Sequence, residues 1–328
     1  MTTFTVSISE ISREDVQRVG GKGASLGELT SLGARVPPGF SITARALPYL
    51  LHANALEEPI AERAARLDLE DLNALEVDTA DIRGLIASAR IPAELEGEIR
   101  ERYRALVSGP NKYVAVRSSV AVRDSPISSF PGLMDTYHYV LGEVELFDRI
   151  RECWASLWTA RAVFARIRHG IAHDRGVIAP VIQLMVDADR AGVLFTANPI
   201  SGATTEIVIE SNWGIGESVV SGRSMSDFFV LDKASLAVKE RRIARKNLMV
   251  TMDHLRGSGR VEQEVPREQA NEPTLSEAQL TELGTTSKRI EDHFGFSVDI
   301  EWAYQDGVLY ILQARRVKQP DRAQPAGR

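Results

Sequence analysis

The segment Asp299-Ile300-Glu301-Trp302-Ala303-Tyr304, then Asp306-Gly307, then Tyr310-Ile311-Leu312-Gln313-Ala314-Arg315 constrains the fold of this chain more than any other. Two alternating runs flank an Asp-Gly pair, the pattern of a β-hairpin. The loop length decides its chemistry. A two-residue loop pairs Gln305 with Val308, which puts Glu301 and Gln313 on opposite faces. A three-residue loop, Gln305-Asp306-Gly307, sets Gly307 at the left-handed position that such loops require. Asp299, Glu301, Gln313 and Arg315 then share one face. Ile300, Trp302, Tyr304, Val308, Tyr310 and Leu312 take the other. A carboxylate, an amide oxygen and a guanidinium on one rigid sheet suit a hard divalent cation carrying phosphates. Taken by itself, the segment also fits a hairpin with one solvated face.

The chain has 328 residues, enough for two lobes. Its net charge of −6 argues against general affinity for nucleic acid or anionic membrane, while leaving room for a local basic pocket. With one cysteine, Cys153, no internal disulfide forms, and its place in a helical stretch fits a small buried apolar residue. The N-terminus lacks the basic and apolar regions of a signal peptide, and no run reaches membrane-span length. The expected location is cytoplasmic.

Residues 1–45 hold a Gly-rich turn at 20–23 and a helix near 24–31, closed by Gly33 and Pro37-Pro38. Residues 46–108, rich in Ala, Leu, Glu and Arg at helical spacing, predict a helical insert broken at Pro59 and Pro92. A strand follows over 113–118, then a loop over 124–135. An amphipathic helix is expected over 146–169 with Ile150, Trp154, Leu157, Trp158 and Ile167 as its core stripe. Residues 177–187 and 191–197 look like paired strands, with further strands at 205–209 and 227–231 and loops at 212–216 and 221–223. The span 251–272 is polar and predicts a mobile connection. Thr274-Leu-Ser-Glu277 predicts a capping box opening a helix that carries Leu280, Leu283, Ile290 and Phe294 and stops at Gly295. Strands without regular βαβ alternation indicate an α+β class.

Four further segments carry polar chemistry. Gly20-Gly21-Lys22-Gly23 leads into a helix, where exposed amides and a lysine can meet a phosphate, although the spacing is not that of a Walker A loop. Arg117 closes a strand and opens a run of small hydroxyls and glycine, Ser118 to Thr136 and Tyr137, which permits close approach to an anion. Gln183 stands among apolar residues on a strand, alternating with Val181 and Met185; an amide there can face a purine, or be a buried glutamine bonded to backbone. Asn212-Trp213-Gly214-Ile215-Gly216-Glu217 lacks the G-x-G-x-x-G fingerprint and reads as a loop and helix start. The six histidines are scattered, and His169 and His173 lack the glutamate of a zinc-protease helix.

Seven segments in order give the chain its resemblance. They are Gly-Gly-Lys-Gly-Ala-Ser-Leu at 20–26, Val-Pro-Pro-Gly-Phe at 36–40, Ala-Val-Arg-Ser-Ser at 115–119 and Ser-Phe-Pro-Gly-Leu-Met-Asp-Thr at 129–136. Gly-Val-Leu-Phe-Thr-Ala-Asn-Pro at 192–199, Asn-Trp-Gly-Ile-Gly-Glu at 212–217 and the hairpin at 299–315 complete the set. From about residue 19 to 317 the chain resembles the N-terminal nucleotide-binding domain of the phosphoenolpyruvate synthase / pyruvate phosphate dikinase family, which includes the rifampin phosphotransferases. The resemblance implies an ATP-grasp fold, two α/β lobes clamping Mg-ATP. The N-terminal lobe would span 1–200 with the helical insert, the C-terminal lobe 201–317, and a flexible tail 318–328. It also implies that ATP gives its β-phosphoryl group to a histidine, leaving AMP and phosphate. Carried over by motif, Lys22 and Arg117 hold phosphates, Gly132, Thr136 and Tyr137 line the phosphate loop, and Gln183 sits by the base. Glu301 and Gln313 bind Mg2+, and Arg315 stabilises the transferring phosphoryl group. Lys22, Arg117 and Arg315 form the catalytic set.

The chain departs from the family pattern in two ways. Arg123 precedes Asp124 where relatives commonly carry an acid, and no histidine has the Ser/Thr-His-Ala setting of the phosphohistidine. The leading expectation is therefore a phosphotransferase subunit, or an excised domain, acting on a histidine of a separate phosphohistidine domain or protein that passes the group to a small molecule. A direct small-molecule kinase and a non-catalytic ATP-binding regulatory module are the alternatives.

Overall fold

A computed structural model describes residues 3–122 and 136–317. Gly132, Arg123, Asp124 and the tail 318–328, on which expectations were placed, lie outside the described residues. The chain divides into two compact units: residues 1–28, 38–185 and 254–259, and residues 29–37, 186–253 and 260–328. The change of unit after Met185 comes earlier than the boundary expected at 200.

The first unit contains β1 (Thr5–Ser7), most of α1 (Val16–Ser31), β2 (Gly39–Ile42), and the insert helices α2 (Ala46–Ala53), α3 (Glu57–Ala64), α4 (Leu72–Ala87) and α5 (Ala93–Leu106). It continues with β3 (Tyr113–Arg117), β4 (Val120–Val122), β5 (Thr136–Leu141), α6 (Gly142–Ala155), α7 (Ala160–Arg168), β6 (Gly176–Ile178) and β7 (Val181–Leu184). Five strands form an antiparallel sheet in the order β1-β2-β7-β3-β5. Because side chains alternate, one face of this sheet presents Phe40, Ile42, Val114, Val116 and Ile182 to a core shared with Leu75, Ile82, Leu95, Ile99, Ile150 and Trp154 of the helices. The reverse face is left for Arg117 and Gln183. The predicted helix over 146–169 is two helices. Thr159 has extended backbone and its hydroxyl accepts from Ala162 N at 3.2 Å, capping α7 and ending the preceding turn.

The second unit holds β8 (Arg190–Phe195), β9 (Glu206–Trp213), α8 (Glu217–Val220), β10 (Asp227–Asp232), β11 (Val238–Arg242), β12 (Leu248–Met252), β13 (Arg260–Glu264), α9 (Glu277–Phe294), β14 (Val298–Gln305) and β15 (Val308–Arg316). Six strands run in the order β11-β10-β9-β8-β14-β15, all neighbours antiparallel. Leu280, Leu283 and Ile290 of α9 pack on Leu194, Ile209, Phe229, Ile300 and Trp302.

Several expectations change here. Residues 177–187 and 191–197 are not paired: β7 bonds β2 and β3, whereas β8 bonds β9 and β14. Strand adjacency is set by packing between distant segments, which local pattern does not encode. The span 251–272 carries the end of β12 and all of β13, a two-stranded ribbon whose second strand is exposed and, apart from Val261, polar. The loop at 212–216 shrinks, since β9 runs on through Trp213. The capping box shifts by two positions to Ser276 and Gln279, with Gly295 closing α9 in the left-handed conformation as expected.

Thr274 is unavailable as a cap because its hydroxyl and its N–H both donate to Asp227 Oδ2, at 2.9 and 2.8 Å. Asp227 also forms a wholly buried ion pair, Lys246 Nζ to Oδ1 at 2.7 Å, and Ala244 N donates to the same oxygen at 3.0 Å. Both charges are thus paired and hydrogen-bonded, the condition under which burial is tolerated. Asp227→Ala should lower the stability of this unit by about 3–5 kcal/mol, because Lys246 is left charged and dry. Urea unfolding checks this, and a loss below about 1 kcal/mol would contradict it.

Candidate active site

The hairpin resolves the conflict between its turn and its faces in an unexpected way. Gln305 pairs with Val308, so the loop has two residues, and Asp306 and Gly307 have φ of 52° and 76°. Both positive values belong to a type I′ turn, whose twist matches the strands and which Asp-Gly favours. The three-residue loop is therefore not formed. Trp302 then pairs with Ile311, but the next pair is Glu301 with Gln313. Leu312 is left over as a β-bulge. The bulge shifts the register by one and returns Glu301 and Gln313 to one face, with Asp299 opposite Arg315 beside them. It also rewrites the apolar face. Leu309, Ile311 and Ala314 are buried with Ile300, Trp302 and Tyr304, while Val308, Tyr310 and Leu312 are only partly covered.

On the polar face Arg315 Nε donates to Asp299 Oδ2 at 2.7 Å. Burial pushes the Asp299 carboxyl above its usual range, opposed by the Arg315 charge and reinforced by Glu301. Asp299 is nearly buried, whereas the Arg315 side chain keeps 40% of its exposure. The carboxylate thus fixes one edge of a guanidinium whose side chain stays partly exposed.

In the first unit the strands bring a second polar set together. Arg117 pairs with Thr136 on β5 and with Val181 on β7, so these share the sheet face that also carries Gln183. Arg117 Nη1 donates to Gln183 Oε1 at 3.3 Å, and both side chains are buried. Tyr137 is not part of this set. It pairs with Val116 on the opposite face, packs against the helical core, and lies under the Arg149 guanidinium at 5.1 Å.

Lys22 stands in the first turn after a break in α1. The helix is interrupted at Gly20, φ 71° and ψ 172°, so the expected turn at 20–23 contracts to one residue. A Cβ on Gly20 would come within 2.3 Å of Ser119 Oγ. Glycine is required there on two counts, backbone and space.

These positions offer oxygen donors from Glu301 and Gln313 on adjacent strands. Among the described residues no group of three His, Cys, Asp or Glu side chains forms a protein-only metal cage. Carboxylate and amide oxygens are the donor type that hard divalent cations take. Two residues that matter to the geometry carry no local signal for it: nothing in the sequence joins Asp299 to Arg315, and nothing marks Ser119 as reaching Gly20.

The raised carboxyl of Asp299 has a definite pH signature. Its folded form holds a proton that the unfolded chain has released, so its contribution to stability falls as pH rises from about 4 through its elevated value. Wild-type stability relative to Asp299→Asn should therefore decline in urea titrations as pH rises from about 4 through that elevated value. A flat difference would contradict the burial argument.

Residues 16–327 match the family described as the pyruvate phosphate dikinase AMP/ATP-binding domain. The probable phosphoenolpyruvate synthases of Pyrococcus abyssi and Methanothermobacter thermautotrophicus are similar at 39% and 40% identity, over 96% and 97% of this chain and 43% and 46% of their own lengths. The prodigiosin synthesizing transferase PigC of Serratia marcescens is 38% identical over 96% of this chain and 33% of its own length. The chain spans less than half the length of these relatives. With nearly its whole length matched, this chain belongs to the pyruvate phosphate dikinase AMP/ATP-binding domain family.

Proposed function

We propose that this chain is an ATP-grasp phosphotransferase unit that binds Mg-ATP and passes the β-phosphoryl group to a histidine outside the chain, with water taking the γ-phosphoryl group, so that AMP and phosphate are left. The observation that carries the proposal is the bulged hairpin, which sets Glu301 opposite Gln313 and pins Arg315 through Asp299. In the proposal Lys22, Arg117 and Thr136 bind the polyphosphate, and Gln183 lies by the base. Gly132 and Tyr137 are assigned to the phosphate loop by motif; the first lies outside the described residues and the second faces the helical core. Glu301 and Gln313 hold the metal, which when bound neutralises phosphate charge and orients the chain of phosphates.

Arg315 supplies the side chain's remaining N–H donors to the phosphoryl oxygens as their charge redistributes. Because Asp299 holds the guanidinium in advance, little reorganisation is needed at that moment. The phosphorylated histidine sits on a separate domain or polypeptide, and a small molecule is the final acceptor. The relatives' greater length supports a separate histidine-bearing part, since each has room for further domains. Such a reaction draws on the ATP of the cytoplasm.

Glu301→Ala should abolish ATP consumption while leaving the unfolding transition in place; retained turnover sinks the metal role. Arg315→Ala should slow phosphoryl transfer on the order of a thousandfold and weaken ATP binding less than about tenfold. Single-turnover rates and calorimetric affinities separate the two, and equal losses would make Arg315 a plain phosphate clamp.

A further inference from the structure

We infer that Ser119 is a positioning residue that sets the helix turn bearing Lys22 against the strand end bearing Arg117. The inference rests on the nucleotide reading above. A helix that starts after Gly20 has first-turn amides in need of acceptors, and the residue at its N-cap normally supplies one from its own side chain. Gly20 has none. The missing acceptor comes from a residue 99 positions away in the numbering, Ser119, whose Oγ accepts from Gly23 N at 3.0 Å. The same hydroxyl donates to Val19 O at 2.6 Å, so it bonds the chain on both sides of the break.

The fit is close as well as bonded. Ser119 is 1% exposed, and its Oγ, carbonyl carbon and carbonyl oxygen all lie within 2.8 Å of where a Gly20 Cβ would be. Its own backbone is tied down, with its carbonyl accepting from Ala179 N at 2.8 Å. Ser119 follows Arg117 by two residues, and Arg117 is held in the β3 ladder between β5 and β7. Lys22 lies between Gly20, which Ser119 abuts, and Gly23, which it caps. One buried hydroxyl therefore fixes the relative placement of two cationic side chains whose sequence motifs are about a hundred residues apart. Ser119 touches no substrate in this account; it acts through Lys22.

The test is a double-mutant cycle on the full chain, with calorimetric affinities for ATP and for AMP in magnesium chloride. Ser119→Ala should raise the ATP dissociation constant about tenfold, a loss equal to about 1.4 kcal/mol. It should leave AMP, with its single phosphate, within about twofold. Adding Lys22→Ala should cost no more than Lys22→Ala alone, because the two act as a unit. Ser119→Cys fills the space with a weaker hydrogen-bonding group and should fall between wild type and alanine. Equal weakening of ATP and AMP, or additive losses in the double variant, would overturn the inference and leave Ser119 a structural residue. If the alanine variant does not fold, an ATP affinity of the cysteine variant equal to wild type overturns it. A wild-type chain that binds no ATP overturns the nucleotide reading itself, and the inference with it.

Discussion

A strand buried on one face can spare only every second side chain for chemistry, and this constraint governs both polar sets. In the six-stranded sheet Ile300, Trp302 and Tyr304 face α9, leaving Asp299 and Glu301 on the reverse. In the five-stranded sheet Val116 and Ile182 face the helical insert, leaving Arg117 and Gln183 on the reverse. The cores thus dictate where the polar groups point. Where the register alone would violate that rule, a bulge at Leu312 restores it.

Each cationic group in these sets is held, directly or through its backbone, by a neighbouring side chain. Asp299 holds Arg315, Gln183 accepts from Arg117, and Ser119 caps the turn that carries Lys22. Such supports cost stability when a carboxylate must be buried, as the raised Asp299 carboxyl records. They are what a phosphoryl-transfer site needs, since its chemistry is mainly positioning and charge stabilisation.

Much of the fold was legible because its signals are local. The insert helices lie within the predicted span, the Asp-Gly turn closes a hairpin, and Gly295 ends α9. What escaped depended on partners far along the chain. Thr274 looks like a helix cap until Asp227 claims its hydroxyl and N–H. The strands around Pro180 and Gly192 look like neighbours because they are close in sequence, yet each completes a different sheet. The shared face of Glu301 and Gln313 was anticipated, but through a longer loop; the sequence carries no mark of a bulge at Leu312. Tyr137 was grouped with Thr136 by motif, and strand alternation sends it the other way.

The most direct measurement uses ATP labelled separately at the β- and γ-phosphates, mixed with the chain, magnesium and a dialysed extract of the cells that produce it. β-Label alone should enter an acid-labile bond on another protein, γ-label should be released as phosphate, and both should stop with Arg315→Ala. Label from the γ-position on the acceptor, or β-label that never reaches a protein, would contradict the proposed transfer.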